Sequence, residues 1–550
     1  MIISNQLFSI ELHLSTGEIE GLRLCSNPFV NLARRGKLGM PSALQYLDKK
    51  EVGEKDAKLV YQFLSKDVKC FAEKRLTDRG LEESYEFLND GKKEVELTPE
   101  DLGIYLTFSD GVDIPKVMPR RSFTQVEICG SSSFVKSNLF TGGGVAMVLT
   151  EGSLSSYSVE RGRSLNERGD LIVEPFAKTL KIGESYKISW IIFPFENDLD
   201  FLSKAKEYSP LFLEIGGEIA KPSGEDFVFE TFGEKAVADG VEYPVKEGVL
   251  RIPSKVDCEK KVEIFYGENK ACVLCRSYNL PTLVVERSKS EPSSLQDKIC
   301  HCLLLLAGGK KGYISPSLGE KLVLELKEVW ESQLSYESRP NPFVCTALSN
   351  LFLLWGEMDG GEEYTNLGED IFERLKESKE GKYLYFNPLC GVENISPRMA
   401  EMLEDQENLD FSEMVFSFDR QRDMAIVKLA LGKEIEDIQS LLVSLPVASR
   451  DYRKLSPITY WHNFREGDTI CSVGWVSFAD MLYRLERKGL VEEGCAKRFA
   501  KSVFALFSDG EGYSSFSFPR KVNDLDAEGG NQFSFAPDYL LGYVILKELV

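Results

Sequence analysis

Between Tyr460 and Asp468 the chain reads Tyr-Trp-His-Asn-Phe-Arg-Glu-Gly-Asp, and Trp475 follows shortly after. Aromatic rings, a histidine and two carboxylates are concentrated there, just before an apolar run with helical period. Rings of this kind can stack on a flat apolar face. A carboxyl such as Glu466, if partly buried, holds its proton longer and can act as a general acid. The plain alternative is that Asp468 and Thr469 cap the following helix and Glu466 is solvated. A second such segment runs Asn523-Asp524-Leu525-Asp526-Ala527-Glu528-Gly529-Gly530-Asn531-Gln532 before the last apolar helix. Asp526 or Glu528 would supply an opposing carboxylate, and Asn531 and Gln532 would read hydroxyls. A solvated loop is the alternative, and the spacing is not that of an EF-hand.

Three weaker sites complete the set. Asp419, in Phe416–Asp423, is a further carboxylate candidate that an N-cap role would also explain. Glu357, in the acidic and glycine-rich stretch Trp355–Tyr364, is a candidate sugar contact or a solvated turn residue. Glu393 lies before a helix in Asn387–Asn394. Paired acids of this type across a cleft are the means of glycosidic-bond hydrolysis, with a separation of ~6.5–9.5 Å leaving room for an inverting water. The expected catalytic residues are therefore Glu466, Glu528, Asp526 and Asp419. The expected substrate contacts are Tyr460, Trp461, His462, Asp468, Trp475, Asn531, Gln532 and Glu357.

Other chemistries are poorly served. With three histidines, His13, His301 and His462, a multi-histidine metal centre is nearly excluded. Cys272-x-x-Cys275 and Cys300-His301-Cys302 offer four thiols, but an apolar strand and a Cys-x-Cys pair make a poor zinc knuckle. No metal and no cofactor are expected. Neither a Gly-x-Ser-x-Gly elbow nor a phosphate-binding Gly-x-x-x-x-Gly-Lys loop is present. The chain holds 66 Lys and Arg against 87 Asp and Glu, a formal charge of -21. Such a field repels nucleic acid and anionic membranes. Arg120, Arg121, Arg161, Arg163 and Arg168 make the first half locally basic and could bind a sugar acid, although isolated surface ion pairs are the simpler reading.

The elements that must position these residues change character along the chain. Length alone, at 550 residues, calls for at least two cores. Residues 1–197 show short β-branched and aromatic runs separated by Gly, Asp, Asn and Ser, which predicts an antiparallel sandwich. Residues 198–290 begin with a helical pattern to Tyr208 and return to strands, including Phe227–Glu230, Val262–Tyr266 and Leu283–Val285; they are expected to form a linker helix and a small β-module. Residues 291–550 carry the helical period in about ten segments, with Ser294 and Ser396-Pro397 as helix starts. The N-terminal stretch lacks a basic region followed by an apolar run, and no segment is long enough to span a bilayer, so a cytoplasmic location is expected.

The opening strand–turn–strand Phe8–Leu12, Thr16-Gly17 and Ile19–Leu22, then Asn27–Asn31, then the long strand Leu180–Pro194, resemble the β-supersandwich of galactose-mutarotase type. That domain precedes an (α/α) toroid in families of carbohydrate-active enzymes. The resemblance implies a multidomain β-then-α fold, with an N-terminal supersandwich and a toroid-like helical domain compact enough to be an incomplete ring. It also implies an oligosaccharide substrate. The expected activity is that of a glycoside hydrolase on a neutral or lightly charged oligosaccharide. A lyase using Tyr460 or His462 as base, which would need a basic cleft, and a non-catalytic carbohydrate-binding protein remain open beside it.

Overall fold

The computed structural model describes the chain outside residues 14, 34–36, 44–45, 64, 109–121, 140–142, 161–169, 216–218, 255–258, 293, 338–340, 378–388, 408–424, 436–437, 439–448, 452–455, 459–471, 508–536 and 550. Its first half is antiparallel sheet. A ten-stranded sheet runs from strand Tyr46–Val52 through the meander Asp56–Gln62, Val68–Leu76 and Leu81–Asn89 to Ser185–Phe195, Gly144–Glu151, Phe134–Leu139 and Ser122–Ile128. Strict alternation sets which face is inside. Val68, Cys70 and Ala72 and, on the neighbouring strand, Leu81, Glu83, Tyr85 and Phe87 are buried, while the residues between them are more open. Strand Ser185–Phe195 is buried on both faces. Ile188, Trp190 and Ile192 enter the main core; Ile191, Phe193 and Phe195 pack under helix α1 (Asp198–Tyr208) against Phe201 and Ala205. Asn197 starts α1 by accepting the Asp200 amide at 3.0 Å.

One charged pair sits inside this sandwich. Lys74 and Glu83 face each other across adjacent strands, 2.5 Å apart and wholly buried. Tyr85 and Trp190 donate to the Glu83 carboxylate at 3.2 and 2.8 Å, and Lys74 also reaches the Gly39 carbonyl at 2.8 Å. Removing one partner strands the other in an apolar core.

A small β-module follows α1. Five strands, Ala220–Pro222, Asn269–Tyr278, Glu259–Tyr266, Lys235–Ala238 and Val241–Pro244, lie beside the pair Phe227–Glu230 and Val249–Ile252. Leu283–Val285, expected as strand, is instead inside helix α2 (Leu280–Arg287). Asn279 caps it through the Thr282 amide and Pro281 fits its first turn, so end signals overrode β-branched composition.

Helices dominate from there: α3 (Leu295–Lys310), α4 (Pro316–Ser332), α5 (Pro342–Trp355), α6 (Gly361–Glu377), α7 (Pro397–Glu407), α8 (Ser472–Arg487), α9 (Cys495–Phe507) and α10 (Pro537–Leu546). Their directions follow from side-chain pairs. Along α10, Asp538 meets His301 of α3 and Gly542 lies against Leu303. Tyr539 meets Asn350 of α5, and Gly391 then touches both Tyr543 and Leu354 one turn on. Tyr543 meets Asp480 of α8, and Lys547 then lies over the Tyr483 ring. Helices α3, α5, α8 and α10 therefore run in one direction. The returning α9 is antiparallel to α8, since Phe478 packs on Phe499 while Glu486 accepts from Gly494 and Ala496. Parallel inner helices with antiparallel returns are the plan of an αα-hairpin array.

One departure was invisible in the helical pattern. Strands Ser449–Asp451 and Ser456–Ile458, from the helical half, extend the ten-stranded sheet; Glu127 and Ile128 pair in parallel with Arg450 and Asp451.

Two stability outcomes follow. Glu83→Ala is expected to lower unfolding free energy by about 3–5 kcal/mol in denaturant titration, with the double change Lys74→Met, Glu83→Leu losing less. A side chain at Gly542 would meet the Leu303 backbone at 3.0 Å, so Gly542→Val is expected to cost about 1–3 kcal/mol; an unchanged midpoint would refute the close α3–α10 crossing.

Candidate functional site

The connections between helices differ sharply at the two ends of the array. At the end where α3, α5 and α8 finish, the chain turns back quickly into α4, α6 and α9. At the other end stand Ser472, Phe507 and Pro537, the residues that open α8, close α9 and open α10. Connections 459–471 and 508–536 are anchored there. Long loops on a rigid scaffold are where binding and catalysis concentrate.

Of the expected site residues, Tyr460, Trp461, His462, Glu466, Asp468, Asp526, Glu528, Asn531 and Gln532 belong to those two connections and lie outside the described residues, as does Asp419. Trp475 is on the first turn of α8, at the same end. Glu357 is elsewhere. It sits in a single π-turn after α5 and accepts the backbone N–H of Glu393, at 2.9 Å, and that of Asn394. Burial raises its carboxyl above the ordinary value even though these amides favour the charged form. Glu357 thus joins the short-turn end to the 393–394 backbone, away from the long connections.

Glu393 belongs to the same end. Lys547 holds it at 2.8 Å and Arg487 at 3.0 Å. The Lys547 hydrogen bond, against some burial, and then Arg487 bring its carboxyl down from 4.5 to about 2. A depressed carboxylate contributes stability above its unfolded value and loses it as pH falls toward the folded one.

Strand registers place a second group of residues near the long connections. Ala33 and Phe108, which are bridged, and Glu160 and Asp170, which are paired, are the described residues next in sequence to 34–36, 109–121 and 161–169. The strand ending at Glu160 starts from the antiparallel bridge Gly130–Leu154, so Glu160 lies toward the Ser122 end of the neighbouring strand. Strand Ser456–Ile458 points the same way, because it runs back against Ser449–Asp451. Connection 459–471 therefore starts toward the corner that holds Lys37, Tyr105, Glu160 and Asp170.

That corner is tightly coupled. Lys37 is 2.7 Å from Glu160, 3.4 Å from Asp170 and 4.7 Å above the Tyr105 ring. The Tyr105 hydroxyl donates to Glu160. Lys37 and Tyr105 hold the Glu160 carboxyl below its usual range, while burial and then Glu160 push the Tyr105 phenol up to about 12. The corner thus presents the Tyr105 hydroxyl as donor, the Lys37 ammonium and the Glu160 carboxylate, with Asp170 beside them. Asp170 Oδ1 is buried without a hydrogen-bond partner among the described residues. Sequence reasoning missed the cluster because its members are far apart in the chain and each reads as an ordinary strand-end charge. The arginines flanking it were the only available signal.

Cys272 and Cys275 are on strand Asn269–Tyr278, and Cys300 and Cys302 on α3; all four are buried. Among the described residues no group of three His, Cys, Asp or Glu could hold a metal ion. No described helix is long and apolar enough to cross a membrane.

No protein-family model matches the chain, and no curated protein matches it in sequence. Among solved structures, a polysaccharide lyase aligns over 93% of this chain and 94% of its own, with a TM-score of 0.67 and 15% identity. The antiparallel β-sandwich followed by a helical array is the architecture the two share, and the resemblance to sandwich-plus-toroid folds holds at this level. A galactose mutarotase related enzyme from Lactobacillus acidophilus covers 36% of this chain and 98% of its own, at TM-score 0.25 and 10% identity. A heparan sulfate lyase from Pedobacter heparinus covers 48% of this chain and 39% of its own, at TM-score 0.23 and 9% identity.

The pH behaviour of Glu393 is testable. Between pH 4.5 and 2 the wild type is expected to lose stability more steeply than Glu393→Gln, the two curves converging at the acid end. Parallel acid branches in equilibrium denaturation would contradict the shift.

Proposed function

We propose that the chain is a carbohydrate-active enzyme that cleaves a uronate-containing polysaccharide or oligosaccharide by β-elimination. The observation that carries this reading is the likeness over nearly the whole chain to a polysaccharide lyase, both halves in the same order. The sandwich corner supports it. Adjoining that corner in sequence are Arg34, Arg35, Arg120, Arg121, Arg161, Arg163 and Arg168, in a chain that is otherwise strongly acidic. A basic lining is what elimination requires. Cations neutralise the uronate carboxylate, which acidifies the neighbouring C5 proton. A base removes that proton, the electrons form the C4–C5 double bond, and the C4–oxygen bond breaks as the leaving sugar takes up a proton.

In this reading Tyr460 or His462 is the base, Trp461 and Trp475 stack on rings, and the corner arginines hold the carboxylate. Asp170, with one oxygen unanswered among the described residues, and Tyr105 offer hydroxyl contacts from the sandwich side.

Hydrolysis is the second reading, and one observation favours it. The anchors of the connections carrying Glu466, Asp526 and Glu528 share one end of the array, as paired carboxylates would need. Asp419 remains a further carboxylate candidate, and Asp468, Asn531 and Gln532 remain hydroxyl-reading candidates under either reading.

The two readings give different products. Incubation with a panel of uronate-containing and neutral oligosaccharides is expected to yield ultraviolet-absorbing unsaturated uronates, abolished in the double variant Tyr460→Phe, His462→Ala and retained in Glu466→Gln. New reducing ends without unsaturation, lost in Glu466→Gln, would establish hydrolysis instead. Binding without either product would leave a carbohydrate-binding protein.

A further inference from the structure

The small β-module carries a cleft that plays no part in the site above. Its volume is about 460 Å³, inside the ~300–1,000 Å³ range of small-ligand sites. Pro244, Lys246, Glu247, Val249 and Arg251 line it. Two features of these residues bear on what it could hold.

The first is charge. Arg251 projects outward between the buried Leu250 and Ile252. Neither Arg251 nor Lys246 has an acidic partner among the described residues, so the cleft presents two unanswered cations beside the single acid Glu247. Pro244 and Val249 give it apolar surface. A carboxylate fits such cations, and the flat face of a pyranose fits the apolar part.

The second is backbone conformation. Lys246 and Val249 exchange N–H···O bonds of 3.0 and 2.9 Å, closing a two-residue turn. Both central residues are left-handed, Glu247 at φ 52° and Gly248 at φ 77°. The module's other turn of this type, Asp239-Gly240, has φ 51° and 76° but places Asp in the strained position. A short Asp side chain tolerates that region through local hydrogen bonding, and Glu does so far less well. A left-handed glutamate on a cleft lip is strain of the sort that persists where a side chain is needed. Beside the turn, the Thr231 amide donates to Gly248 at 2.9 Å, and the next residue, Phe232, is 65% exposed.

We propose that this cleft is an accessory binding site for an acidic sugar unit, distinct in its residues from the candidate site above. Lys246 and Arg251 take the carboxylate, Pro244 and Val249 meet the ring, and Glu247 accepts a hydroxyl. The inference rests on the carbohydrate reading above and narrows its substrate to a uronate-bearing chain held at two places.

Affinity electrophoresis of the full chain through gels containing polygalacturonate, with a neutral glucan as control, tests it without requiring turnover. The wild type is expected to be retarded by the polyuronate only, and Lys246→Ala with Arg251→Ala to bind about tenfold more weakly. Glu247→Gly is expected to bind more weakly while unfolding at a higher temperature, because the strain is relieved. Loss of retardation in the double variant supports the site even if no elimination product is ever found. Equal retardation of wild type and double variant, retardation by neutral glucan alone, or no retardation of the wild type overturns it, whatever the activity at the other site.

Discussion

Arg287, His301, Asn350 and Asp480 stand on four different helices, and α10 reaches all four. Asp538 takes Arg287 at 2.8 Å and His301 at 2.8 Å. Tyr539 donates to Asn350, whose amide goes on to the Cys390 carbonyl. Tyr543 donates to Asp480, which also receives Arg484 and the Gly391 amide. The rest of α10 is apolar and would slide or rotate against its neighbours at little cost. Buried polar groups demand particular partners, so this seam fixes the rotation and height of the helix.

That constraint reaches outward. Because α10 is parallel to α3, α5 and α8, its start is held level with the start of α8, and the two long connections share one end. Strand Ser456–Ile458, which precedes residue 459, points toward the sandwich corner by strand register. The short-turn end is by contrast closed by Glu357, Glu393, Lys547 and Arg487, whose charges are spent on one another and on backbone amides.

Much of the architecture was legible in the chain, and the reasons are physical. Alternation in Val68–Leu76 and Leu81–Asn89 and the helical period after Ser294 each report one buried face, which is a local property. Helix ends were read well where a cap or Pro marks them, as at Ser294 and Ser396-Pro397. Local composition failed at Leu283–Val285, where Asn279 and Pro281 decide the outcome. It was silent about the 449–458 hairpin, whose short strands are defined by an edge contributed from more than three hundred residues earlier. The site was less legible. For Glu357, acidic and glycine-rich composition does not reveal that its carboxylate holds the 393–394 backbone at the short-turn end. Lys37, Tyr105, Glu160 and Asp170 left no local trace because only the fold brings them together.

The hairpin Ser449–Ile458 has a bearing on how this molecule can be divided. Strand Ser122–Ile128 would otherwise end the large sheet, leaving a row of open backbone donors and acceptors able to recruit strands from other chains. The helical half supplies the cover from within its own sequence. Cutting between the halves would therefore do more than separate two units: the sheet-bearing fragment would be left with a self-complementary border, prone to stacking with copies of itself.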